Sequence, residues 1–434
     1  MSAKKKALWV VSACVLLGLV LGGCGPKETA VSDTAPPQPI KPVKIGVPFP
    51  LSGALAGPGN DSKAAVELAV EIVNGSYDLD LPLARTRGLP NLGGAPVEAV
   101  FADHAMDPEK AMRETERLIT EQGVVAIQGA WASSTSATAS QAAERLGIPF
   151  LNGNATSPAL GERGFRWYFR TTPHDRLFVR NILDFMRDME QEKGVTIKTI
   201  AILHEDTMYG TDTADVVRQY AKEYGYEIVA DIAYPQNTTD CTSEVQRLKA
   251  SNPDVLIQAD YTSNAILSVL TYKDLDFNPT AIIANDVGFI DLEYINAVGD
   301  NGNYIFSRDL WSTDWVAEHP NVKTINDMYK ERTGKDLTGT SARAFTALLV
   351  LADAINRAGS TDPEAIRQAL LDTNLSADQL IMPWDGVQFD PVTHENIKGR
   401  GIIVQMQGGK YYTVWPFDRA AREPIWPMPK WADR

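Results

Sequence analysis

The chain has 434 residues and a formal net charge of −14, with 44% hydrophobic and 22% charged residues. The composition is typical of a globular protein, and the length is sufficient for two hydrophobic cores. So acidic a surface argues against a nucleic-acid partner, because contact with phosphates needs patches of lysine and arginine.

The first residues have the pattern of an export signal. Lysines at positions 4–6 precede an apolar run over residues 7–21, which is shorter than the roughly 20 residues that span a membrane. The run ends in Leu21-Gly22-Gly23-Cys24, which resembles the lipobox of bacterial lipoproteins. The pattern predicts a signal peptide over residues 1–23 and lipid attachment at Cys24. A plain secreted protein with a chance cysteine, or an uncleaved anchor, is the alternative.

Residues 24–42 are predicted to form a flexible linker. This stretch contains five prolines and almost no apolar residues, so it cannot support a core. A lipid on Cys24 would hold the following body near a membrane, as an extracytoplasmic, membrane-tethered lipoprotein. Cys241 is then the only other cysteine of the mature chain, which excludes an intrachain disulfide and a zinc site of the Cys-x-x-Cys kind.

From residue 43, short apolar strands alternate with amphipathic helices. The first set has predicted strands at 43–50, 97–103, 124–130 and 148–154, and helices at 61–74, 108–121 and 136–145. The second set has strands at 199–206, 226–235, 254–260 and 280–286, and helices at 211–224, 239–251 and 263–275. Strand–helix–strand units of this size predict parallel sheets with right-handed crossovers. The predicted fold class is α/β, with two doubly wound, Rossmann-like lobes.

The rest of the chain predicts how the lobes are joined. A segment at 303–311 leads into helices near 321–332, 341–357 and 363–371, and a hairpin follows at 399–416. Irregular passages near 170–175, 303–310 and 383–391 predict three crossover segments. Lobe 1 is then residues 43–172 and 306–388, and lobe 2 is residues 173–305 and 389–434. Such a topology places a ligand cleft between the carboxyl ends of the two sets of strands.

The residues that follow the predicted strands differ between the two lobes. Lobe 1 offers Trp131, Ser133, Asn154, Ala155 and Thr156, in hydroxyl-rich turns at helix N-termini. Such turns suit a carboxylate, because backbone N–H groups and the positive end of the helix dipole point at it. Lobe 2 offers Tyr209, Tyr261 and Asp286, which suit an ammonium group.

Together the two sets predict a site for an α-amino acid, with Trp131 and the tyrosines around its side chain. Each residue also has a structural alternative. The serines after Trp131 could cap the next helix, and Thr156 could cap a short helix. Asp286 could also be an N-cap, and Tyr261 and Trp131 could be packing residues.

Signals for catalysis or metal binding are weak. No serine lies in a Gly-x-Ser-x-Gly turn, and no strand is followed by a phosphate-binding glycine loop. The five histidines are scattered, with no His-Glu-x-x-His or His-x-His pattern. The sequence therefore predicts a binding protein rather than an enzyme, with no cofactor and no metal.

Several segments resemble a known family in the order in which they occur. They are VKIGVPFPLSGALAGPG, DPEKAMRETERLI, ASSTSATAS, GIPFLNGNATSPAL, YFRT, HEDTMYG and NDVG. Jointly they are similar to the type I periplasmic binding proteins of branched-chain amino acid ABC transporters. The resemblance runs from residue 43 to the final hairpin.

The resemblance implies roles for the strand-end residues. Ser133 would bind the ligand carboxylate, and Asn154, Ala155 and Thr156 would bind the carboxylate and ammonium through backbone and hydroxyl groups. Tyr209 and Tyr261 would close from lobe 2, and Asp286 would pair with the ammonium. Phe345 falls at an aromatic lining position, and Trp131 stands where leucine-type binders have a smaller residue.

The resemblance also implies a function. The chain is expected to be a monomeric, extracytoplasmic solute-binding protein that delivers an amino acid, branched-chain or other apolar or aromatic, to the permease subunits of an ABC transporter. The alternative is a ligand-sensing module on the same fold, for an amide, urea or aromatic acid.

Overall fold

The computed structural model describes residues 40–434, so the predicted signal peptide and Cys24 lie outside the described residues. Two sheets dominate this part of the chain. The first contains β1 (Val43–Phe49), β2 (Val97–Asp103), β3 (Ala126–Gln128), β4 (Phe150–Asn152) and β5 (Tyr168–Arg170). Its strands are all parallel, in the order β2-β1-β3-β4-β5. The helices between these strands are α1 (Ala56–Asn74), α2 (Pro108–Thr120) and α3 (Ser133–Leu146).

The second sheet has seven strands. These are β6 (Thr199–Glu205), β7 (Glu227–Tyr234), β8 (Val255–Ala259), β9 (Ala281–Ala284), β10 (Phe306–Asp309), β13 (Ile402–Met406) and β14 (Tyr411–Trp415). Their order is β14-β13-β10-β9-β8-β6-β7. Strands β6 to β10 are parallel, while β13 and β14 form an antiparallel hairpin at one edge. Its helices are α4 (Asp175–Lys193), α5 (Met208–Tyr224), α6 (Thr242–Ser251), α7 (Thr262–Asp274) and α8 (Leu292–Val298).

The remaining elements lie between β10 and β13 in the chain. They are the helices α9 (Thr313–Glu318), α10 (Pro320–Thr333), α11 (Gly339–Ala358) and α12 (Pro363–Leu371), and the two-stranded sheet of β11 (Asn374–Ser376) and β12 (Gly386–Gln388). Helix α11 is buried along most of its length and packs against α1 in the core of the first sheet. The predicted fold class, two doubly wound α/β lobes joined by three crossovers, is confirmed.

Two local features explain why these elements form. Asp107 accepts a hydrogen bond from Lys110 N at 2.8 Å, and Pro108 opens α2, so this helix starts at an N-cap followed by proline. The hairpin turns at Gly408 and Gly409, whose φ angles of 63° and 74° suit glycine.

Several boundaries differ from the sequence expectations, and two of the differences bear on the site and on the division into lobes. Helix α3 begins at Ser133 rather than at 136, because Ala132 takes the extended N-cap conformation. Strand β10 pairs with β9 and β13 in the second sheet, although the predicted division assigns residues from 306 to lobe 1. The chain therefore returns to the first sheet after Asp309 rather than at 306. The rest of the predicted division stays a prediction.

Within residues 40–434, no helix combines the length and apolar character that a membrane crossing requires.

Candidate functional site

A small cavity of about 10 Å³ lies between the carboxyl ends of the two sheets. Its lining residues are Trp131, Ala132, Ser133, Asn154, Ala155, Thr156, Tyr209, Tyr261, Val287, Thr340 and Arg343. The structure thus brings together seven of the nine residues predicted for the ligand site. The other two, Asp286 and Phe345, do not line the cavity. Its volume is about what one water molecule needs, so the two faces of the cleft are nearly shut on each other.

The N-terminus of α3 forms one wall of the cavity. Ser133 is the first helical residue and is almost completely buried. The neighbouring hydroxyls are engaged inside the protein, since Ser136 accepts a hydrogen bond from Ala130 N at 2.9 Å and Thr135 donates to Ala130 O at the same distance. Ser133 Oγ has only a long contact, 3.4 Å from Ser157 N. Thr135 and Ser136 therefore fix the turn before α3, whereas Ser133 faces the cavity beside the positive end of the helix dipole.

The turn after β4 forms the adjacent wall. Asn152 Oδ1 accepts hydrogen bonds from the backbone N–H groups of Asn154 and Ala155, at 3.0 and 2.8 Å. These two donors, which the resemblance assigned to a ligand, are therefore used to fix the turn. Thr156 Oγ1 donates a hydrogen bond to Asp175 Oδ2 at 2.9 Å. The lone pairs of this hydroxyl oxygen can still accept a hydrogen bond from a ligand.

Three aromatic rings form the apolar side of the cavity. The Tyr261 ring lies 6.1 Å from Trp131 and 5.4 Å from Tyr209, measured between centroids, in tilted arrangements. Trp131 Nε1 donates to Ser62 Oγ at 3.1 Å, and the Tyr209 hydroxyl donates to the carbonyl of Asn285. Because the polar ends of Trp131 and Tyr209 have partners in the protein, these two rings present mainly their apolar faces to the cavity.

Asp286 belongs to a buried network of charged side chains. Its Oδ2 lies 2.5 Å from Arg308 Nη1 and 3.0 Å from Arg343 Nη2. Arg308 also lies 3.6 Å from Asp175 Oδ1 and stacks on the ring of Phe178 at 3.5 Å. The two guanidinium groups balance the two carboxylates. One oxygen of Asp286 is therefore paired twice, while the other, Oδ1, is buried without a hydrogen-bond partner among the described residues.

The network also joins the two halves of the molecule. Arg343 lies on α11, which packs with the first sheet, whereas Asp286 follows β9 of the second. Ser157, after β4, donates a hydrogen bond to Asp212 on α5 in the second half. Direct contacts thus hold the two faces of the cleft together beside the cavity.

The other acids behind the second face also have internal partners. Asp260 accepts from the Tyr234 hydroxyl and from Gln258 Nε2, each at 2.5 Å, and Glu205 accepts from Tyr261 N at 2.8 Å. Burial raises the pKa of Asp260 and Glu205 above the usual range of carboxyl groups. Burial likewise raises the pKa of Asp175, against the opposing effect of Arg308.

Phe345 lies in α11 two positions beyond Arg343, and its side chain is buried in the core of the first sheet. Sequence reasoning missed four lining residues: Ala132, Val287, Thr340 and Arg343. Arg343 had a visible signal, because it is the one charged residue in an apolar stretch of α11, between Ala342 and Ala344.

Among residues 40–434, no group of three histidine, cysteine or acidic side chains is placed to hold a metal ion.

The sequence and the fold were compared with known proteins. The periplasmic binding protein family model matches residues 42–410. A Leu/Ile/Val-binding protein homolog from Brucella abortus is 29% identical over 388 residues, which cover 87% of this chain and 92% of the relative.

Two solved structures share the fold. The substrate binding protein of a branched-chain amino acid transporter from Streptococcus pneumoniae, in complex with isoleucine, has a TM-score of 0.72 at 21% identity. The match covers 89% of this chain and 100% of that one. A solute binding protein of an ABC transporter from Rhodopseudomonas palustris, in complex with 3,4-dihydroxybenzoic acid, has a TM-score of 0.70 at 20% identity. That match covers 86% of this chain and 95% of the other.

The family match spans most of the chain, which confirms the resemblance that the strand-end motifs carry. The family and its relatives are solute-binding proteins, which agrees with the prediction of a binding protein rather than an enzyme. The chain belongs to the periplasmic binding protein family.

Proposed function

We propose that this protein is the extracytoplasmic solute-binding component of an ABC transporter, and that it binds a small carboxylate-bearing solute between its two lobes. The observation that carries the proposal is the cavity at the N-terminus of α3, where Ser133 and Thr156 face three aromatic rings. A helix N-terminus with nearby hydroxyls suits a carboxylate, and the rings suit an apolar body.

The two faces of the cleft support a capture mechanism by closure. A solute that contacts both α3 and Tyr209 or Tyr261 makes all its contacts only when the lobes are closed. Its binding energy then favours the closed form, which a membrane permease can recognise. The permease subunits, the lipid on Cys24 and a monomeric state belong to this proposal as predictions.

The relatives indicate the solutes to test first. One neighbour is bound to isoleucine and another to 3,4-dihydroxybenzoic acid, and both ligands carry a carboxylate. An amino acid is the ligand that the sequence motifs imply. An acid without an amino group is the second candidate, because Arg343 lines the cavity and already pairs with Asp286.

Thermal-shift screening of the purified protein, followed by calorimetric titration, tests the proposal. The panel contains amino acids, their amides and apolar or aromatic carboxylic acids. We expect stabilisation by at least one carboxylate and none by its amide, because the amide has no charge for the α3 terminus. Stabilisation by amides alone, or by no compound of the panel, would refute carboxylate binding. Loss of uptake of the bound solute in cells that lack the gene would test the transport role.

A further inference from the structure

The cavity has a second polar wall, at the N-terminus of α11. This helix has 20 residues, and its first turn contains Thr340, which lines the cavity and is 2% exposed. Thr340 Oγ1 is buried and has no hydrogen-bond partner among the described residues. A buried hydroxyl without a partner is costly, so its place at the cavity wall indicates a ligand group that bonds to it.

Arg343 lies one turn further along the same helix and also lines the cavity. Its Nε donates to Gly339 O at 3.1 Å, its Nη1 to Asn154 O at 3.3 Å, and its Nη2 lies 3.0 Å from Asp286 Oδ2. A guanidinium group has five N–H donors, so two remain beyond these three partners. The wall thus offers a hydroxyl, spare guanidinium donors and the positive end of a long helix.

This wall of the cavity is poorly suited to the ammonium group of an amino acid. Asp286, the residue expected to receive an ammonium, pairs with Arg343 through Oδ2 and does not line the cavity, although its Oδ1 has no partner among the described residues. An ammonium in the cavity would therefore lie against a wall that contains a guanidinium group and not the carboxylate of Asp286. An oxygen acceptor, in contrast, would satisfy Thr340 and Arg343 together.

We propose that Thr340 and Arg343 form an acceptor-binding subsite, and that the solute is a carboxylic acid with a second oxygen acceptor in place of the α-ammonium group. The carboxylate lies at α3 beside Ser133, and the second oxygen, of a carbonyl, hydroxyl or further carboxylate group, lies at α11. This inference rests on the proposed function, since it names the solute class of the same site.

Matched pairs of acids test the subsite. The pairs are leucine with 4-methyl-2-oxopentanoate, phenylalanine with phenylpyruvate, and alanine with pyruvate, because each pair differs only in the group on the α-carbon. Calorimetric titration of the wild-type protein is expected to give affinity at least about tenfold higher for the oxo acid of the preferred pair.

Two variants and a control complete the experiment. Thr340→Val is expected to weaken binding of the oxo acid about fivefold. Arg343→Gln is expected to lower the ratio of the affinity for the oxo acid to that for the matching amino acid. Thr346→Val is the matched control, since Thr346 is a buried residue of α11 whose hydroxyl also lacks a partner but does not line the cavity. It is expected to leave the ratio unchanged.

The outcomes separate the inference from the function on which it rests. An amino acid that binds more tightly than its oxo acid, with a ratio that neither variant alters, overturns the subsite but leaves carboxylate binding intact. Equal effects of Thr340→Val and Thr346→Val also overturn the subsite. If no acid of any pair binds, the proposed function fails and the subsite fails with it.

Discussion

The two faces of the cleft differ in how far their polar groups are paired within the protein. The first face, defined by Ser133, Thr340 and Arg343 at the ends of α3 and α11, keeps hydrogen-bonding capacity directed at the cavity. The second face has acids at its strand ends, but Asp286 and Asp260 are engaged by side chains of the protein itself. Asp286 and Asp260 each keep one oxygen, Oδ1, without a partner among the described residues, but neither residue lines the cavity, whereas Thr340 and Arg343 do.

Desolvation explains the difference. An unpaired carboxylate costs several kcal/mol to bury, whereas an unpaired hydroxyl or N–H costs about 1–3 kcal/mol. Acids close to a shut cleft therefore need permanent partners, which Arg308 and Arg343 provide for Asp286. A hydroxyl group without a partner costs less, so Ser133 and Thr340 can keep hydrogen-bonding capacity for a solute.

The largest expected effect comes from Asp286→Ala. From the sequence, this variant would abolish amino acid binding and leave the fold intact. The structure predicts a different result, because the change leaves Arg308 and Arg343 buried without their carboxylate. We expect the free energy of unfolding, measured by urea denaturation, to fall by about 3–5 kcal/mol.

The matched control is Glu109→Ala, which breaks an ion pair with Arg113 whose side chains are 85% and 60% exposed. This exposed pair is expected to contribute less than about 1 kcal/mol. A loss of stability for Asp286→Ala no larger than that of the control would contradict the buried network and return Asp286 to the role of a ligand partner.

The next largest effect is a loss of solute affinity on changing Ser133, in the first face of the cleft. Ser133→Ala removes a hydroxyl that lines the cavity and has only a long contact within the protein. The affinity for the carboxylate solute is expected to fall about 10- to 100-fold, as for a lost hydrogen bond to a charged group, with little change in stability. Titration calorimetry measures the affinity. Ser134→Ala is the control, since Ser134 does not line the cavity, and equal losses in both variants would argue against the carboxylate at α3.

The sequence predicted the positions of most cavity residues because parallel strands end at one edge of their sheet. Ser133 and Thr156 could be placed there from their distance beyond apolar runs. Thr340 and Arg343 could not, because they lie on a helix whose apolar pattern indicates packing alone. The orientation of the α11 terminus depends on how this helix packs against α1, which the local sequence does not specify.

The partners of Asp286 were unpredictable for the same reason. Its network needs Arg308 on β10 of the second sheet and Arg343 on α11, which packs with the first. Strand β10 likewise pairs with β13, which lies almost a hundred residues further along the chain, and the local sequence does not indicate that pairing. Residue types at strand ends thus indicate a site, but their pairing decides whether they are available to a solute.

A pH dependence follows from Asp291, another buried acid behind the second face. It accepts a hydrogen bond from Thr262 Oγ1 at 2.7 Å, and burial raises its pKa to about 7. The folded state therefore holds this proton at pH values where the unfolded state has lost it. Asp291 makes the protein less stable as the pH rises from about 4 toward 7, by roughly 1 kcal/mol per pH unit.

Asp291→Asn mimics the protonated acid and keeps an acceptor for Thr262. The difference in free energy of unfolding between this variant and the wild type should grow from pH 5 to pH 6.5, and urea denaturation at several pH values measures it. The pH dependence that other groups contribute cancels in this difference. A difference that stays constant over that range would mean that Asp291 is ionised in the folded protein.

The smallest expected effect concerns a contact that joins the two faces. The Ser157 hydroxyl donates to Asp212 across the cleft, so it stabilises the closed form whatever the solute. Ser157→Ala is expected to weaken binding of every solute by the same factor, about 2- to 10-fold, since one hydrogen bond contributes about 0.5–1.5 kcal/mol. Asp212→Asn, which keeps an acceptor for Ser157, should have less effect. A loss confined to one solute would instead assign Ser157 to the binding wall with Ser133.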